Sequence, residues 1–380
     1  MGMKFRCERD ALLDALNVAV RAAAGASSSR AALTGAHLDL AGGTLVVTGS
    51  DLDLTLSVTT EVAGESDGAA VTPARLLTDV VRAVPAGAVE FSVTDDGEAS
   101  IVAGSSEFSI RLIPEEDYPQ LAFKDESTDE GAAAVAFSPA VTFEGSEFRE
   151  ALSQVVKSAS SDDSRPILTG VLMAAEEEGQ LRLVSTDSYR LSVRDLEGSS
   201  ILGEHQRVLV PSRALSELQR LIADSGDVTL KLAEHYAQFV VGAVQLTTRL
   251  IPGDFPNYQG LIPSDHPNCL TTNREQLLEV VRRVRLLAQD STPVRLVMSA
   301  ENLEVIAITH DVGKANESMN AQYEGEDLTV AFNPGYLVDG IEATTGDEIT
   351  LYTADAVKPA VLRSVDDESF LYLLMPVRVS

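Results

Sequence analysis

The chain carries one short stretch twice: Arg111-Leu112-Ile113-Pro114 with Tyr118-Pro119, and Arg249-Leu250-Ile251-Pro252 with Phe255-Pro256. A second landmark keeps the same spacing, because Pro73 precedes Pro114 by 41 positions and Pro211 precedes Pro252 by 41 positions. Both landmarks recur after 138 residues. Repetition at a fixed period is the signature of tandem structural units. The sequence therefore predicts a chain built from repeated domains.

Working outward from these landmarks, three segments have the pattern of an amphipathic helix. Their apolar residues recur at spacings of three and four, which places them on one face of a helix. The stripes are Leu12, Ala15, Leu16, Ala19 and Val20; Phe148, Ala151, Leu152, Val155, Val156 and Ala159; and Leu277, Val280, Val281, Val284 and Ala288. The third helix also starts with Asn273 and Gln276, a variant of the capping box. Three such helices predict three repeats.

Each repeat also contains a second helix and several alternating strands. Pro73, Pro211 and Pro334 stand near the starts of the second helices, where the missing N–H of proline has no cost. Stretches such as Leu52 to Val58 alternate apolar and polar residues, as half-buried strands do. We therefore expect an α+β fold of three tandem domains, residues 1–125, 135–262 and 268–380, each with two helices packed on antiparallel sheets.

Composition restricts the class of protein. The chain has 380 residues, a net charge of −29, no Trp and two cysteines, Cys7 and Cys269, far apart in the sequence. Its first residues have no apolar signal core, and no apolar run approaches the roughly 18 residues of a membrane span. These features predict a cytoplasmic protein that contacts no membrane and has small, unreactive cysteines.

The negative charge is unevenly distributed along the chain. The six predicted helical windows together contain 12 basic and 11 acidic residues, whereas the rest of the chain carries a net charge of −30. Helices that share one face of an assembly could therefore tolerate phosphate while the other surfaces repel it. For any single helix, a solvated face is the preferred explanation of mixed charge, and only the segregation across all three repeats favours DNA.

Catalytic chemistry is not indicated. The five histidines, His37, His205, His235, His266 and His310, are scattered without metal-ligand spacing. Asp51 and Asp187 follow equivalent strands, and we interpret them as one turn-forming aspartate that is repeated in two domains. No Walker or dinucleotide motif is present. The sequence predicts a non-enzymatic protein with no catalytic residues, no metal and no cofactor.

Three motifs resemble one family over the full length of the chain. They are Thr186-Asp187-Ser188-Tyr189-Arg190-Leu191, Phe255-Pro256-Asn257-Tyr258, and Tyr372-Leu373-Leu374-Met375-Pro376-Val377-Arg378-Val379. Together with the threefold repeat, they resemble the beta subunit of bacterial DNA polymerase III, the sliding clamps. The resemblance implies a head-to-tail homodimeric ring around duplex DNA that binds without sequence preference and acts as a processivity factor for replication.

The resemblance also implies partners and site residues. The partners are the DNA polymerase III alpha subunit, the clamp-loader complex, and other polymerases and repair proteins that carry short clamp-binding motifs. A peptide-binding pocket would be formed by Leu168, Thr186, Ser188, Tyr189, Arg190, Leu191, Pro256, Leu261, Pro359, Leu373, Met375, Pro376, Val377 and Arg378. DNA contacts would come from Arg30, Arg82, Arg165, Arg213 and Arg282, and the dimer interface from Phe108, Ile110, Leu286 and Leu287.

Simpler interpretations compete with these assignments. The C-terminal segment has the pattern of a final edge strand, and each of the four interface residues could equally be a core residue. The whole chain could instead be a non-catalytic tandem β-rich module that binds a carbohydrate or protein ligand, or an acidic enzyme with an unfamiliar site. Mass in solution separates these hypotheses, because a clamp should have about twice the monomer mass of 40.4 kDa.

Overall fold

The computed structural model describes residues 2–23, 31–94, 96–121, 135–176, 180–197, 206–222, 226–288 and 292–378. It contains two compact units. The first unit comprises Met1–Ser146 and Arg220–Leu250, and the second comprises Glu147–Gln219 and Ile251–Ser380. Every strand pair in the described residues is antiparallel, and the helices lie between strands in the sequence.

The described residues contain six α-helices, two in each repeat. They are α1 (Arg9–Ala19), α2 (Ala74–Ala83), α3 (Gly145–Val155), α4 (Ser212–Leu221), α5 (Arg274–Val284) and α6 (Pro334–Ala343). The predicted capping interaction of α5 is present, because the Asn273 side chain accepts a hydrogen bond from the Gln276 backbone N–H at 3.0 Å. Asn333 caps α6 in the same way through Gly335 and Tyr336. Side-chain caps of this kind satisfy N–H groups that have no partner within the helix.

Twenty-six strands follow the same repeating order in the described residues. The first repeat contains β1 (Lys4–Glu8), β2 (Gly35–Ala41), β3 (Thr44–Ser50), β4 (Leu54–Glu61), β5 (Ala63–Ser66), β6 (Gly68–Pro73), β7 (Ala88–Val93), β8 (Glu98–Ala103) and β9 (Ser106–Arg111). The second contains β10 (Val141–Glu144), β11 (Gly170–Ala175), β12 (Leu181–Thr186), β13 (Arg190–Leu196), β14 (Arg207–Pro211), β15 (Asp227–Leu232), β16 (Tyr236–Val241) and β17 (Val244–Arg249). The third contains β18 (Asn268–Asn273), β19 (Val294–Ser299), β20 (Asn302–Thr309), β21 (Gly313–Asn320), β22 (Gln322–Glu324), β23 (Leu328–Phe332), β24 (Glu348–Thr353), β25 (Ala360–Ser364) and β26 (Phe370–Leu374).

These strands form four sheets, two in each unit. The first unit has a five-stranded sheet, β5-β1-β7-β8-β9, and an eight-stranded sheet, β10-β15-β16-β17-β4-β3-β2-β6. The second unit has a nine-stranded sheet, β14-β11-β12-β13-β26-β25-β24-β18-β22, and a four-stranded sheet, β21-β20-β19-β23. Successive repeats thus share sheets: β4 pairs with β17, and β13 pairs with β26.

The cores follow from the predicted stripes. Leu12, Leu16 and Ala19 of α1 are buried in the first unit, where Phe5 and Phe91 stack with ring centroids 5.1 Å apart. The α5 stripe is buried in the second unit, with Phe332 and Tyr372. The predicted fold class, three tandem α+β domains with antiparallel sheets, is confirmed.

One glycine shows how closely helix and sheet approach in the first unit. A Cβ atom added to Gly49 of β3 would overlap the carbonyl group of Ala19 at the end of α1. The equivalent position in the second repeat is Ser185, whose hydroxyl instead donates a short hydrogen bond to the Val155 carbonyl at the end of α3. The two repeats therefore place different residues where the strand meets the end of the helix. In the first repeat only a glycine fits beside the helix carbonyl, and in the second a serine hydroxyl donates to it.

Candidate functional site

The second unit contains an apolar cluster on one face of its nine-stranded sheet. Leu191 on β13 lies directly opposite Leu373 on β26, which in turn lies opposite Val361 on β25. These side chains form a continuous row across three neighbouring strands, and all are buried. The cluster as a whole contains Leu172, Ala174, Val184, Leu191, Val193, Leu209, Tyr258, Val361, Leu371 and Leu373. A buried row of this kind can support the apolar side chains that line a binding site.

A tight turn between β12 and β13 stands at one end of this row. The Asp187 carboxylate accepts hydrogen bonds from the backbone N–H groups of Tyr189, at 2.8 Å, and Arg190, at 3.0 Å, and Ser188 has a φ of 82°. Asp51 does the same for Asp53 and Leu54 in the first repeat. The interpretation of both residues as turn-forming aspartates is therefore confirmed. In the second repeat the turn holds Tyr189 outward, with 60% of its side chain exposed.

The C-terminal segment stands beside that turn. Strand β26 lies between β13 and β25, so the alternative that it forms an edge strand is wrong. After β26 the Met375 N–H donates to the Tyr189 carbonyl at 2.9 Å, and the Val377 N–H donates to the Ala331 carbonyl at 2.7 Å. The chain thus crosses the end of the apolar row immediately next to the turn. Met375 and Tyr189 are both exposed there.

The chain makes the same kind of crossing once in each repeat, but only the first two crossings share a sequence motif. Ile113 donates its N–H to Val71 at 2.8 Å, and Ile251 donates its N–H to Leu209 at 2.9 Å. The repeated Arg-Leu-Ile-Pro stretch is therefore the place where each chain segment leaves its sheet and crosses a neighbouring strand. Val377 occupies the same position in the third repeat, although its neighbours in sequence have no resemblance to that stretch.

Arg190 holds the turn in place through hydrogen bonds to three other residues. Its Nε donates to the Asp187 carboxylate at 3.0 Å, its Nη1 donates to Asp339 on α6 at 2.5 Å, and its Nη2 donates to the Lys157 carbonyl. Its guanidinium also lies 4.4 Å from the centre of the Tyr336 ring, a cation–π distance. Arg190 is thus largely buried, and all three of its nitrogens are engaged within the protein.

Two aromatic residues complete this side of the site. The rings of Tyr189 and Tyr336 are stacked, with centroids 6.5 Å apart and planes inclined by 27°. The Tyr372 hydroxyl donates to the Tyr336 carbonyl at 2.8 Å, and burial raises the pKa of Tyr372. Tyr336 was not predicted as a site residue. Its position one turn into α6 gives no sequence signal that it meets Tyr189 in the fold.

The opposite side of the row is formed by the segment that follows β17. Phe255 and Tyr258 make an edge-to-face contact with centroids 6.4 Å apart, and both pack against the apolar cluster. Pro256 and Leu261 are exposed next to them. We call the turn, the crossing, this segment and the row between them the groove. Its predicted residues are Leu168, Thr186, Ser188, Tyr189, Arg190, Leu191, Pro256, Leu261, Pro359, Leu373, Met375, Pro376, Val377 and Arg378, and all belong to the second unit.

The equivalent place in the first unit has a polar floor. There β4 pairs with β17 as β13 pairs with β26, and Thr55, Thr247 and Gln238 lie opposite one another as Leu191, Leu373 and Val361 do. Thr55 also hydrogen bonds to Ser50 at 2.7 Å. Side chains of this kind satisfy one another and present little apolar surface. The two shared sheets thus have the same architecture and opposite chemistry.

The predicted DNA-contacting residues are distributed over both units. Arg82 of the first unit donates to Asp79 at 2.7 Å, and Arg282 of the second donates to Glu342 at 2.7 Å. Arg165 donates to Asp162 at 3.0 Å, to the Asp187 carbonyl at 3.2 Å and to the Ser188 hydroxyl, so it braces the groove turn. Arg213 is exposed on α4. Arg30 lies outside the described residues.

Glu342 stands between two exposed cations. Lys157 approaches one of its oxygens at 2.8 Å and Arg282 approaches the other at 2.7 Å. The hydrogen bond from Lys157, with that from Arg282, lowers the pKa of the Glu342 carboxyl. The basic side chains on this surface are thus already paired, which weakens their attraction for other anions.

The predicted interface residues differ in their exposure. Phe108 on β9 exposes 38% of its surface, and Leu286 exposes 81%, next to the half-buried Leu287. Ile110 exposes only 4% and packs in the core of the first unit, and its contribution to an interface stays a prediction. Phe108 and Ile110 share one face of β9, and both lie opposite buried residues of β8, Ile101 and Ala99 respectively.

In the described ranges no three His, Cys, Asp or Glu side chains are grouped so that they could hold a metal ion. None of the described helices has the length and apolar character to span a membrane. Cys7 and Cys269 are unpaired thiols, and burial raises the pKa of Cys7 to about 11, as expected for an unreactive side chain.

Three family models match consecutive parts of the chain. The N-terminal domain of the DNA polymerase III beta subunit matches residues 3–122, the central domain matches residues 142–257, and the C-terminal domain matches residues 259–378. The matches follow the order of the three structural repeats.

Individual relatives agree with the family models. The beta sliding clamp of Streptomyces coelicolor is 34% identical over 390 residues, with both chains covered completely. A sliding clamp from Bartonella birtlesii, solved with bound griselimycin, is 30% identical with a TM-score of 0.91, and the Bacillus subtilis clamp is 27% identical with a TM-score of 0.91; each covers both chains completely. The chain therefore belongs to the DNA polymerase III beta subunit family, the bacterial sliding clamps, which are non-catalytic processivity factors of DNA replication.

Proposed function

We propose that the groove of the second unit binds short peptide segments of polymerases and other replication proteins, and that two copies of the chain close around duplex DNA. The observation that carries the peptide proposal is the apolar row formed by Leu191, Leu373 and Val361. Tyr189, Leu261 and Met375 are exposed around this buried row, so an extended peptide would contact an apolar, adaptable rim that the row supports.

The polar floor of the first unit supports one peptide site per chain. In the first unit the equivalent row of Thr55, Thr247 and Gln238 is polar and already buried, so it provides no apolar layer on which partner-contacting side chains could pack. In the second unit Leu191 and Leu373 belong to a buried apolar cluster against which Ile251 and Phe255 pack. A partner side chain would instead remove apolar surface from water at the exposed residues Tyr189, Leu261 and Met375. We infer that the strand pairing is the same in both units, and that the residues of this row make only the second unit suitable for binding a peptide.

The proposed homodimer follows from the rule by which the repeats are joined. Each repeat contains two groups of consecutive antiparallel strands. The last strand of the first group pairs with the last strand of the second group in the following repeat, which gives the pairs β4–β17 and β13–β26. The remaining last strands, β21 and β9, are edges of the four- and five-stranded sheets. Pairing β21 of one copy with β9 of another would give a nine-stranded sheet, the number found in the second unit. Such a contact is head to tail, and two of them close a dimer.

The same rule predicts the register of this seam. Leu246 of β17 lies opposite Leu56 of β4, and Phe108 precedes Leu246 by 138 residues, the repeat offset. Ala315 on β21 is the counterpart of Leu56 on β4. Each faces the core and lies opposite a small residue of the neighbouring strand, Ala307 for Ala315 and Gly49 for Leu56. Phe108 should therefore lie opposite Ala315 of the other copy. Exposed Leu286 and half-buried Leu287 lie in the segment that supports β20 and would cover the seam.

DNA binding is proposed to be weak, independent of sequence and maintained by closure. Arg82, Arg282 and Lys157 are exposed but paired with carboxylates, so phosphate would have to compete for them. A net charge of −29 also opposes tight association. Weak phosphate contacts permit sliding, and only a closed ring would then keep the protein on DNA. Arg30, Arg165 and Arg213 remain proposed contacts.

The wider assignments belong to the same proposal. The domain limits 1–125, 135–262 and 268–380, the clamp loader, the polymerase III alpha subunit, other polymerases and repair proteins as partners, and a cytoplasmic site of action are what a bacterial clamp requires. The compact units divide the second repeat because its sheets are shared with both neighbours.

Release from DNA tests the closure. The protein is loaded onto nicked circular duplex with its clamp loader and separated from free protein, and the DNA is then cut once. We expect retention on the circle and loss after linearisation, because closure and not affinity holds the protein. As the control, a second circle that carries no protein is cut in the same tube while the loaded circle is left intact. The loaded circle should then keep its protein. Equal loss from circular and linear DNA would contradict encirclement.

A further inference from the structure

We propose that Asp339 is a positioning residue of the groove and that its carboxylate couples the groove to DNA, so that duplex and peptide each tighten the binding of the other. This inference rests on the proposed function, since it needs both ligands to bind. Asp339 lies on α6, between buried Arg190 on one side and exposed Lys157 on the other.

On the groove side, Asp339 holds Arg190 in place. Its Oδ2 accepts from the Arg190 Nη1 at 2.5 Å, while Asp187 and the Lys157 carbonyl engage the other two nitrogens. Each of its nitrogens has a partner within the protein and its side chain is only 10% exposed, so we infer that Arg190 acts on the groove mainly through its position. Asp339 is the one partner in this set that comes from the third repeat.

Arg190 in turn fixes the aromatic rim. Its guanidinium stacks 4.4 Å from the Tyr336 ring centre, and Tyr336 lies under Tyr189 with centroids 6.5 Å apart. The exposed Tyr189 ring is therefore the outer end of a stack whose base is the Arg190–Asp339 ion pair. A rim that is ordered before binding loses less freedom when a peptide arrives, which increases affinity.

On the other side, the carboxylates of α6 hold two exposed cations. Lys157 Nζ is 3.8 Å from Asp339 Oδ1 and 2.8 Å from Glu342, and Arg282 is 2.7 Å from Glu342. Both cations are about half exposed, whereas Arg190 is largely buried. An approaching phosphate would compete with α6 for Lys157 and Arg282 but could not reach Arg190.

The direction of the coupling follows from this arrangement. When phosphate draws Lys157 away, Asp339 keeps Arg190 as its one cationic neighbour in the described part of the chain, and their interaction strengthens. The rim is then better ordered, and peptide binds more tightly. Thermodynamic linkage requires that peptide tighten DNA binding by the same factor. The interaction of a partly exposed ion pair corresponds to a factor of about two to five in Kd.

The test is a set of peptide titrations with and without DNA. A fluorescein-labelled peptide from the clamp-binding segment of the polymerase is titrated with the full chain at low salt, alone and with a saturating short duplex. Occupancy by duplex is checked separately with labelled DNA. We expect the duplex to lower the wild-type peptide Kd about two- to fivefold.

Three variants identify the residues responsible. Lys157→Ala should lower the peptide Kd without DNA by the same factor and abolish the effect of the duplex, because it removes the competing cation. Asp339→Asn should raise the Kd and give equal values with and without duplex. Arg283→Ala is the matched control: it removes an equally exposed cation of α5 whose partners are Glu279 and Glu317, and it should retain the wild-type ratio.

The outcomes separate the inference from the function on which it rests. If the wild type binds both ligands but its Kd is unchanged by duplex, or if Asp339→Asn retains the wild-type ratio, the coupling is overturned while the clamp function stands. If the wild type binds no peptide, or no duplex, the corresponding part of the proposed function fails and the coupling fails with it. A purely structural role of Asp339 would raise the Kd but leave the ratio unchanged.

Discussion

Replacing Phe108 with serine should open the proposed dimer without unfolding the chain. Phe108 lies on the edge strand β9 and exposes 38% of its surface, so the free edge presents about 75 Å² of apolar area, taking a phenylalanine side chain as about 200 Å². Burial at about 25 cal/mol per Å² stabilises one seam by roughly 2 kcal/mol. A closed dimer contains the seam twice, so Phe108→Ser should weaken it by about 4 kcal/mol, a several-hundredfold rise in the dimer Kd.

Mass measured by light scattering across a dilution series provides the assay. The wild type should keep twice the monomer mass of 40.4 kDa to much lower concentrations than the variant. Val102→Ser is the matched control, because Val102 exposes 37% of its surface on the neighbouring strand β8 but points to the opposite face from the core residue Ile101. Unfolding by heat should be cooperative for both variants, which would show that monomeric Phe108→Ser is still folded.

Two results would refute the reasoning. A wild-type protein that is monomeric at micromolar concentration would eliminate the seam altogether. If instead Val102→Ser weakens the dimer as much as Phe108→Ser does, association does not use the core-side face of β9, and the predicted register is wrong.

Further predictions address the register, the groove and the dependence on pH. Oxidation of a chain carrying Phe108→Cys and Ala315→Cys should join two copies covalently, because residues directly opposite each other in antiparallel strands are close enough for a disulfide; a monomer-only product on a denaturing gel would contradict the register. Leu373→Thr, which introduces the polar floor of the first unit, should weaken peptide binding at least tenfold by anisotropy, whereas Thr247→Val should not change it; equal effects would remove the distinction between the two floors. Because Lys157 lowers the pKa of the Glu342 carboxyl, its contribution to stability is present above the unfolded pKa and is lost as pH falls through the lower folded pKa. Urea midpoints should therefore fall less for Glu342→Gln than for the wild type between about pH 5 and 3, and parallel losses would show that Glu342 is not a linked group.

Local features were predictable because they depend on neighbours in the sequence. The helix stripe of Leu12 and Leu16, the Asn273 cap and the Asp187 turn involve residues within one helical turn or one hairpin of each other. The period of 138 residues indicated tandem domains in the same direct way. Propensity, capping and turn chemistry act over these short distances, so the residue order alone determines them.

The groove depended on contacts between distant segments. The sequence shows that Leu373 belongs to an apolar strand, but only the sheet order places that strand centrally, opposite Leu191 and Val361. Tyr336 was missed for the same reason, since α6 meets the turn at Tyr189 only in the folded chain.

Two residues assigned to the proposed seam show the same limit. Phe108 and Ile110 are two positions apart on one strand and face the same side, so alternation treats them alike. Both lie on the edge strand β9, yet Phe108 is 38% exposed whereas Ile110 is buried in the core of the first unit. The order of residues thus determined the repeats, the helices and the turns, whereas long-range strand pairing decided which apolar side chains are floor, core or edge, because burial depends on which strand becomes the neighbour.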